Sequence, residues 1–166
     1  MSGKQVDLAL NKEMGMLVRI AYKVRDAFEE IGQKEQLPQD LCGLCLRSSV
    51  QLFVAAKYFG IDIQVIGGYG HCYTMRDGYI IDVTATQFCE TERVLVVPPS
   101  RTTYYHNSRS KRWDKEKICE TLDSIYADIW DESSKFESDR RIIVKYLTPL
   151  MREELAWLGK ESVACM

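Results

Sequence analysis

Three side chains in this 166-residue chain could do nucleophilic chemistry together: Cys45, His71 and Asp82. Cys45 ends the run Gln39-Asp40-Leu41-Cys42-Gly43-Leu44-Cys45, directly ahead of a nearly all-apolar stretch, which places it in the first turn of an expected helix. Orphan amides and the helix dipole stabilise a thiolate there. The same amides can donate to the oxyanion of a tetrahedral intermediate. Gln39, in the loop upstream, is a candidate for a second donor. The chain has two histidines, so the search for a base is short. His71 lies in Gly70-His71-Cys72-Tyr73, and an imidazole in that role needs a carboxylate to hold its tautomer and support its protonated form. Asp82 supplies one if Asp77-Gly78 is a two-residue hairpin turn. Arg76 then faces Tyr79, Tyr73 faces Asp82 and His71 faces Thr84. Alternation puts His71, Tyr73, Ile80, Asp82 and Thr84 on one face, with His71 and Asp82 as diagonal neighbours.

These residues need elements to hold them. Residues 6–34 carry a helical stripe of Leu10, Met14, Leu17, Ile20, Val24, Phe28 and Ile31, with Gly32 as a stop. A connection through Pro38 leads to a second helix over 44–59, interrupted only by Arg47, Gln51 and Lys57, which predicts burial nearly all round and closure at Gly60. Strands are expected over 61–65, 71–76, 79–84 and 94–97. Residues 100–112 read as an irregular basic loop containing Tyr104, Tyr105 and His106. Two amphipathic helices follow, over 115–130 and 139–158, and Pro149 is expected to kink or divide the second. The order predicts an α+β fold: a buried central helix against a small antiparallel sheet, with flanking N- and C-terminal helices. One domain spans 1–166, divided into a helical part (5–36), a core (37–98), a basic loop (99–113) and a helical C-terminal part (114–160).

The segment Gln39-x-x-Cys42-Gly43-x-Cys45 is similar to the nucleophile segment of papain-like cysteine proteases. Gly43-x-Cys45-x-x-Ser48, Gly60-Ile61, Gly68-Tyr69-Gly70-His71-x-Tyr73 and Ile81-Asp82-Val83-Thr84 together look more like the transglutaminase-like branch of that superfamily. The resemblance covers residues 39–88. It implies a papain/transglutaminase-like core with Cys45 as nucleophile, His71 as base, Asp82 as its carboxylate and Gln39 as oxyanion donor. The chain departs from papain-like enzymes in having Asp82 where Asn is usual, and Leu46 where an aromatic residue follows the nucleophile. The implied activity is amide hydrolysis or acyl transfer through an acyl-thioester: a deamidase, a thiol protease or amidase, or a transglutaminase-like enzyme. Its partner is a protein or peptide amide, a glutamine side chain among the candidates. Tyr69, Tyr73, Tyr105 and His106 are candidate substrate-binding residues.

Composition narrows the alternatives. A net charge of −2 argues against nucleic acid as partner for the chain as a whole. No apolar run approaches a membrane span. The N-terminus lacks a signal peptide's apolar core, which predicts a cytoplasmic protein with mostly free thiols among its six cysteines, secretion as an effector aside. No cofactor or metal is expected. Two rival classes remain: a non-catalytic interaction protein that keeps the fold, and a thiol-disulfide or zinc protein using Cys42-x-x-Cys45. Against the redox motif, no strand precedes it. Against zinc, alternation puts His71 and Cys72 on opposite faces.

Overall fold

A computed structural model describes residues 3–68, 70–101, 103, 106, 111–114, 116–118, 120, 141–154 and 156, with side chains from residue 12 onward. The fold mixes helix and sheet, as the element order predicts. Helix α1 (Gly3–Lys34) runs through Gly32 rather than stopping there. Gly32 sits instead where Leu41 and Leu44 pack close to the helix. The stripe Leu17, Ile20, Val24, Phe28 and Ile31 is at most 1% exposed and forms the centre of the main core. Helix α2 (Cys45–Tyr58) buries Ser48, Ser49, Val50, Leu52, Ala55 and Ala56. It is not buried all round, because Val54 and Tyr58 are 44% and 69% exposed, so the apolar sequence overstates how much of the helix is enclosed. Its end is the one expected: Gly60 has φ +71°, and Ile61 N–H reaches back to the Ala56 carbonyl.

The sheet is antiparallel throughout, with strands β1 (Gln64–Gly68), β2 (His71–Arg76), β3 (Tyr79–Asp82), β4 (Leu95–Val97) and β5 (Lys111–Arg112) in the order β4-β3-β2-β1-β5. β1 begins three residues later than the alternation of 61–65 suggests and runs through Gly67-Gly68. Strand β5 lies inside the segment expected to be irregular. The hairpin has the expected register, Arg76 with Tyr79 and Thr74 with Ile81. Asp77 and Gly78 both take positive φ (49° and 81°), the conformation that a two-residue turn with the strands' own twist requires.

Gly67 is needed for a different reason. A Cβ there would overlap the Trp113 indole (Cε2, Nε1 and Cζ2), so the ring lies directly on the β1 backbone. Trp113 is further tied to the strand by its N–H, 2.8 Å from the Val65 carbonyl. A 3-10 turn (Ala85–Phe88) follows β3. Residues 141–154 form one helix continuing through Pro149, which neither divides nor ends it. Ile142, Ile143, Leu147 and Leu150 join the core around α1. The expected helix over 115–130 lies mostly outside the described residues. Among the described residues, no helix is long and apolar enough to cross a membrane.

Candidate active site

Cys45 is the first residue of α2. The first intrahelical bond is Ser48 N–H to the Leu44 carbonyl, 2.9 Å, so the earlier amides of that turn are not used by the helix. The loop leading in is tightly wound. Cys42 N–H donates to Asp40 Oδ1 at 2.9 Å, and Leu41 holds a left-handed backbone (φ +61°) while its side chain is 1% exposed. A non-glycine residue in that region is strained and is kept there by its surroundings. Cys45 itself is half-buried and packs, like Phe53 and Trp113, against Val50, Val65 and Cys72.

His71 opens β2 and Asp82 closes β3, so the hairpin register sets their relation. His71 Nε2 lies 2.6 Å from Asp82 Oδ2, with the two side chains 4% and 0% exposed. The other carboxylate oxygen, Oδ1, accepts from Thr84 N–H (2.8 Å) and Thr84 Oγ1–H (3.1 Å). The Cys45 thiol is near enough to the imidazole to act on its charge. Gln87 Nε2 stands 3.4 Å from His71 Nδ1 and donates to Thr84 Oγ1 at 3.1 Å. Phe88 and Tyr73 enclose the ring, edge-on at 4.7 Å and stacked at 5.8 Å between centroids.

The second histidine is here as well. His106 Nε2 lies 3.0 Å from the same Asp82 Oδ2, and its Nδ1 is 2.5 Å from Thr103 Oγ1. Its side chain is 0% exposed, and the ring meets Tyr73 edge-on at 4.4 Å. His106, a candidate for substrate contact on sequence grounds, is therefore enclosed behind the carboxylate. Tyr73 is likewise buried between the two imidazoles. Tyr69 and Tyr105 lie outside the described residues. Gln39 is exposed and lines a groove with Glu29, Gln33 and Leu37, away from the His71–Asp82 pair.

The charges follow from these contacts. Burial works against a charged His71, but the hydrogen bond with Asp82 and the negative charges of Asp82 and Cys45 prevail, raising its pKa from 6.5 to about 9. Burial likewise raises the Asp82 carboxyl. The bonds from His106 and His71, the His71 charge and the Thr84 amide outweigh it and hold the group well below the usual carboxylate range. Burial pushes the Cys72 thiol up to about 12, which leaves it inert at neutral pH. Cys42, Cys45, Cys72 and Cys89 are free thiols.

One ligand atom each from His71, Asp82 and His106 falls within 4.8 Å of the others, a grouping that invites a metal. The distances fit hydrogen bonds better. Ligand atoms around tetrahedral zinc are about 3.3 Å apart for bonds of about 2.0–2.1 Å. Both ring nitrogens are closer to Oδ2 than that, and both bond the same oxygen.

A buried cation from outside the sheet ties the two halves of the site together. Arg25, on α1 and 2% exposed, donates from Nη1 to the Val83 carbonyl (2.8 Å) and to Thr86 Oγ1 (2.9 Å), and from Nε to Glu29 (2.7 Å). Thr86 Oγ1–H in turn donates to the Asp40 carbonyl at 2.9 Å. The guanidinium thus joins the segment carrying Asp82, Thr84 and Gln87 to the loop that leads into Cys45. Arg93 completes the group through Glu29 and Asp26. A cleft of about 890 Å³, lined in part by Phe53, Met75, Arg112, Trp113 and Ile118, adjoins the apolar wall beside Cys45.

Thr84, Gln87, Thr103 and Arg25 were not singled out on sequence grounds. The spacing Asp82-x-Thr84 carried a signal, since an aspartate at a strand end commonly caps the amide two residues on. No family model, curated protein or solved structure matches the chain.

Proposed function

We propose that this protein is a cysteine-dependent amide hydrolase or acyl transferase with Cys45 as nucleophile, His71 as general base and acid, and Asp82 as the carboxylate that orients His71. The observation that carries this reading is the buried His71 Nε2–Asp82 Oδ2 pair at 2.6 Å, with Cys45 near enough to help raise the His71 pKa to about 9. Three further features support it: the thiol at the start of a helix, the antiparallel hairpin that brings His71 to Asp82, and the resemblance of residues 39–88 to papain-like and transglutaminase-like enzymes.

His71 holds the proton given up by Cys45 in the resting pair, and the thiolate adds to an amide carbonyl. The first-turn amides of α2 donate to the oxyanion. As the intermediate collapses to a thioester, His71 returns its proton to the departing amine or ammonia, and water or a second amine resolves the thioester. The substrate is a protein or peptide amide, with the cleft beside Phe53 and Trp113 available to its flanking residues. Deamidation or limited hydrolysis fits better than general proteolysis, because His71 and Asp82 are enclosed and Cys45 is half-buried. A thiol used this way belongs in a reducing compartment.

The test is site-resolved alkylation by iodoacetamide, followed by mass spectrometry from about pH 5 to 9, where a free thiol responds near pH 8.5. Cys45 should label rapidly below neutral pH in the native protein and slowly in His71→Ala, while Cys72 stays unlabelled. Labelling of Cys45 that matches Cys42 whatever occupies position 71 removes the reading and favours the thiol-disulfide class.

A further inference from the structure

Gln87 sits at the Nδ1 edge of His71, the edge that Asp82 leaves open. Its amide nitrogen is 3.4 Å from Nδ1, whereas Nε2 is occupied by Asp82. The orientation of the amide follows from its neighbours. Thr84 Oγ1 has one proton, and that proton goes to Asp82 Oδ1, so Thr84 can only accept from Gln87. The group facing Thr84 is therefore the NH2, and its second hydrogen points at Nδ1. That contact is attractive only while Nδ1 carries a lone pair, a state lost when His71 holds the thiol proton in the thiolate–imidazolium pair. Once Nδ1 is protonated, two N–H groups face each other and the amide hydrogen needs another acceptor.

We infer that Gln87 is a catalytic residue of this site, whose side-chain N–H donates to the oxyanion when Cys45 adds to a carbonyl. The assignment rests on the reading of Cys45 and His71 given above and deepens it. In the step itself the S–C bond forms, and the carbonyl π pair moves to oxygen. The thiol proton is already on Nδ1, so the Gln87 hydrogen, which has no acceptor there, donates to the new anion beside it. On collapse the C=O bond re-forms, the C–N bond breaks, the Nδ1 proton leaves with the amine, and Gln87 returns to His71. Proton transfer and oxyanion binding are thereby linked through one amide. Gln87 is half-buried and anchored at its backbone by its N–H to the Thr84 carbonyl, 3.1 Å, so the side chain can turn without the segment moving.

Two reagents separate this role from that of a residue that merely positions His71. Alkylation by iodoacetamide creates no oxyanion, whereas acylation by p-nitrophenyl acetate passes through one. Gln87→Ala should slow acylation of Cys45 on the order of 100-fold, the usual loss for one oxyanion donor, and leave its alkylation rate unchanged. Gln87→Glu keeps the size and places a carboxylate beside Nδ1. It should slow acylation at least as much while alkylation is unchanged or faster. Gln39→Ala should change neither reaction. A parallel fall in both reactions in Gln87→Ala, or no fall in acylation, overturns the assignment, as does a Gln39→Ala protein that shows the acylation defect instead. If wild-type Cys45 reacts preferentially with neither reagent, the nucleophile reading itself fails and the assignment with it.

Discussion

Asp82→Asn is the substitution that most directly probes how this site is held. The carboxylate accepts four hydrogen bonds, from His71, His106 and twice from Thr84. Asparagine has one acceptor oxygen and turns an N–H pair toward two donors. In the wild type the His71 proton is held to about pH 9 instead of 6.5. A folded pKa above the unfolded one contributes stability that is complete below about pH 6.5 and is lost as pH rises through about 9, a total of about 3 kcal/mol. Asp82, whose carboxyl is held low, acts in the opposite sense: its contribution is present above the ordinary carboxylate value near 4 and disappears as pH falls. These two groups together place the stability maximum between about pH 4 and 6.5. Cys45 supplies part of the His71 shift, so the comparison belongs in a Cys45→Ser background, where the Asp82 share is on the order of 2 kcal/mol. Urea unfolding with Asp or Asn at position 82 should then give a deficit for Asn that is larger at about pH 6 than at about pH 10, by that amount. An equal deficit at both pH values would mean that His71 is not held protonated by Asp82, and the electrostatic reasoning would be refuted.

Two other substitutions test the enclosure of the site. His106→Ala removes a fully buried imidazole and one of two donors to Oδ2, and should lower stability by about 3 kcal/mol. With the carboxylate freed for His71, the His71 titration followed by NMR should move upward; a downward move would contradict the shared-acceptor geometry. Gly67→Ala forces the Trp113 indole off β1 and should cost about 1–3 kcal/mol. In a Trp130→Phe, Trp157→Phe background, Trp113 emission should shift to the red, and an unchanged spectrum and melting curve would show that the ring does not lie on Gly67.

The parts of this architecture that could be read in advance depend on neighbours in the chain. Asp77-Gly78 has the turn chemistry for the hairpin, and the turn sets the register that brings His71 to Asp82. Cys45 at the head of α2 follows from the change to apolar residues after Gly43. Long-range placement was not legible. His106 reaches Asp82 across 24 residues from a segment without periodicity, so its type pointed to chemistry and nothing local pointed to its partner. Gln39 and Gln87 are both glutamines outside strands and α-helices, and the loop position upstream of Cys45 and the papain-like resemblance pointed to Gln39. The structure instead has Gln87 beside His71 because the 3-10 turn folds it back over Thr84. Pro149 was expected to kink or divide the last helix; the helix is not divided, and Ile142, Ile143, Leu147 and Leu150 pack against the core on both sides of it.

The Arg25 contacts bear on when the site comes into being. Asp40 and Thr86 are 46 residues apart, and hairpin formation alone leaves their separation open. Thr86 bonds the Asp40 carbonyl directly, and the docked α1 braces that link by setting the Arg25 guanidinium against Thr86 and Val83. On the proposed reading of Cys45, a nascent or partly unfolded chain would carry an ordinary cysteine, and the reactive one would belong to the finished domain. Reactivity at Cys45 would then report on the docking of a helix that contributes no reacting atom.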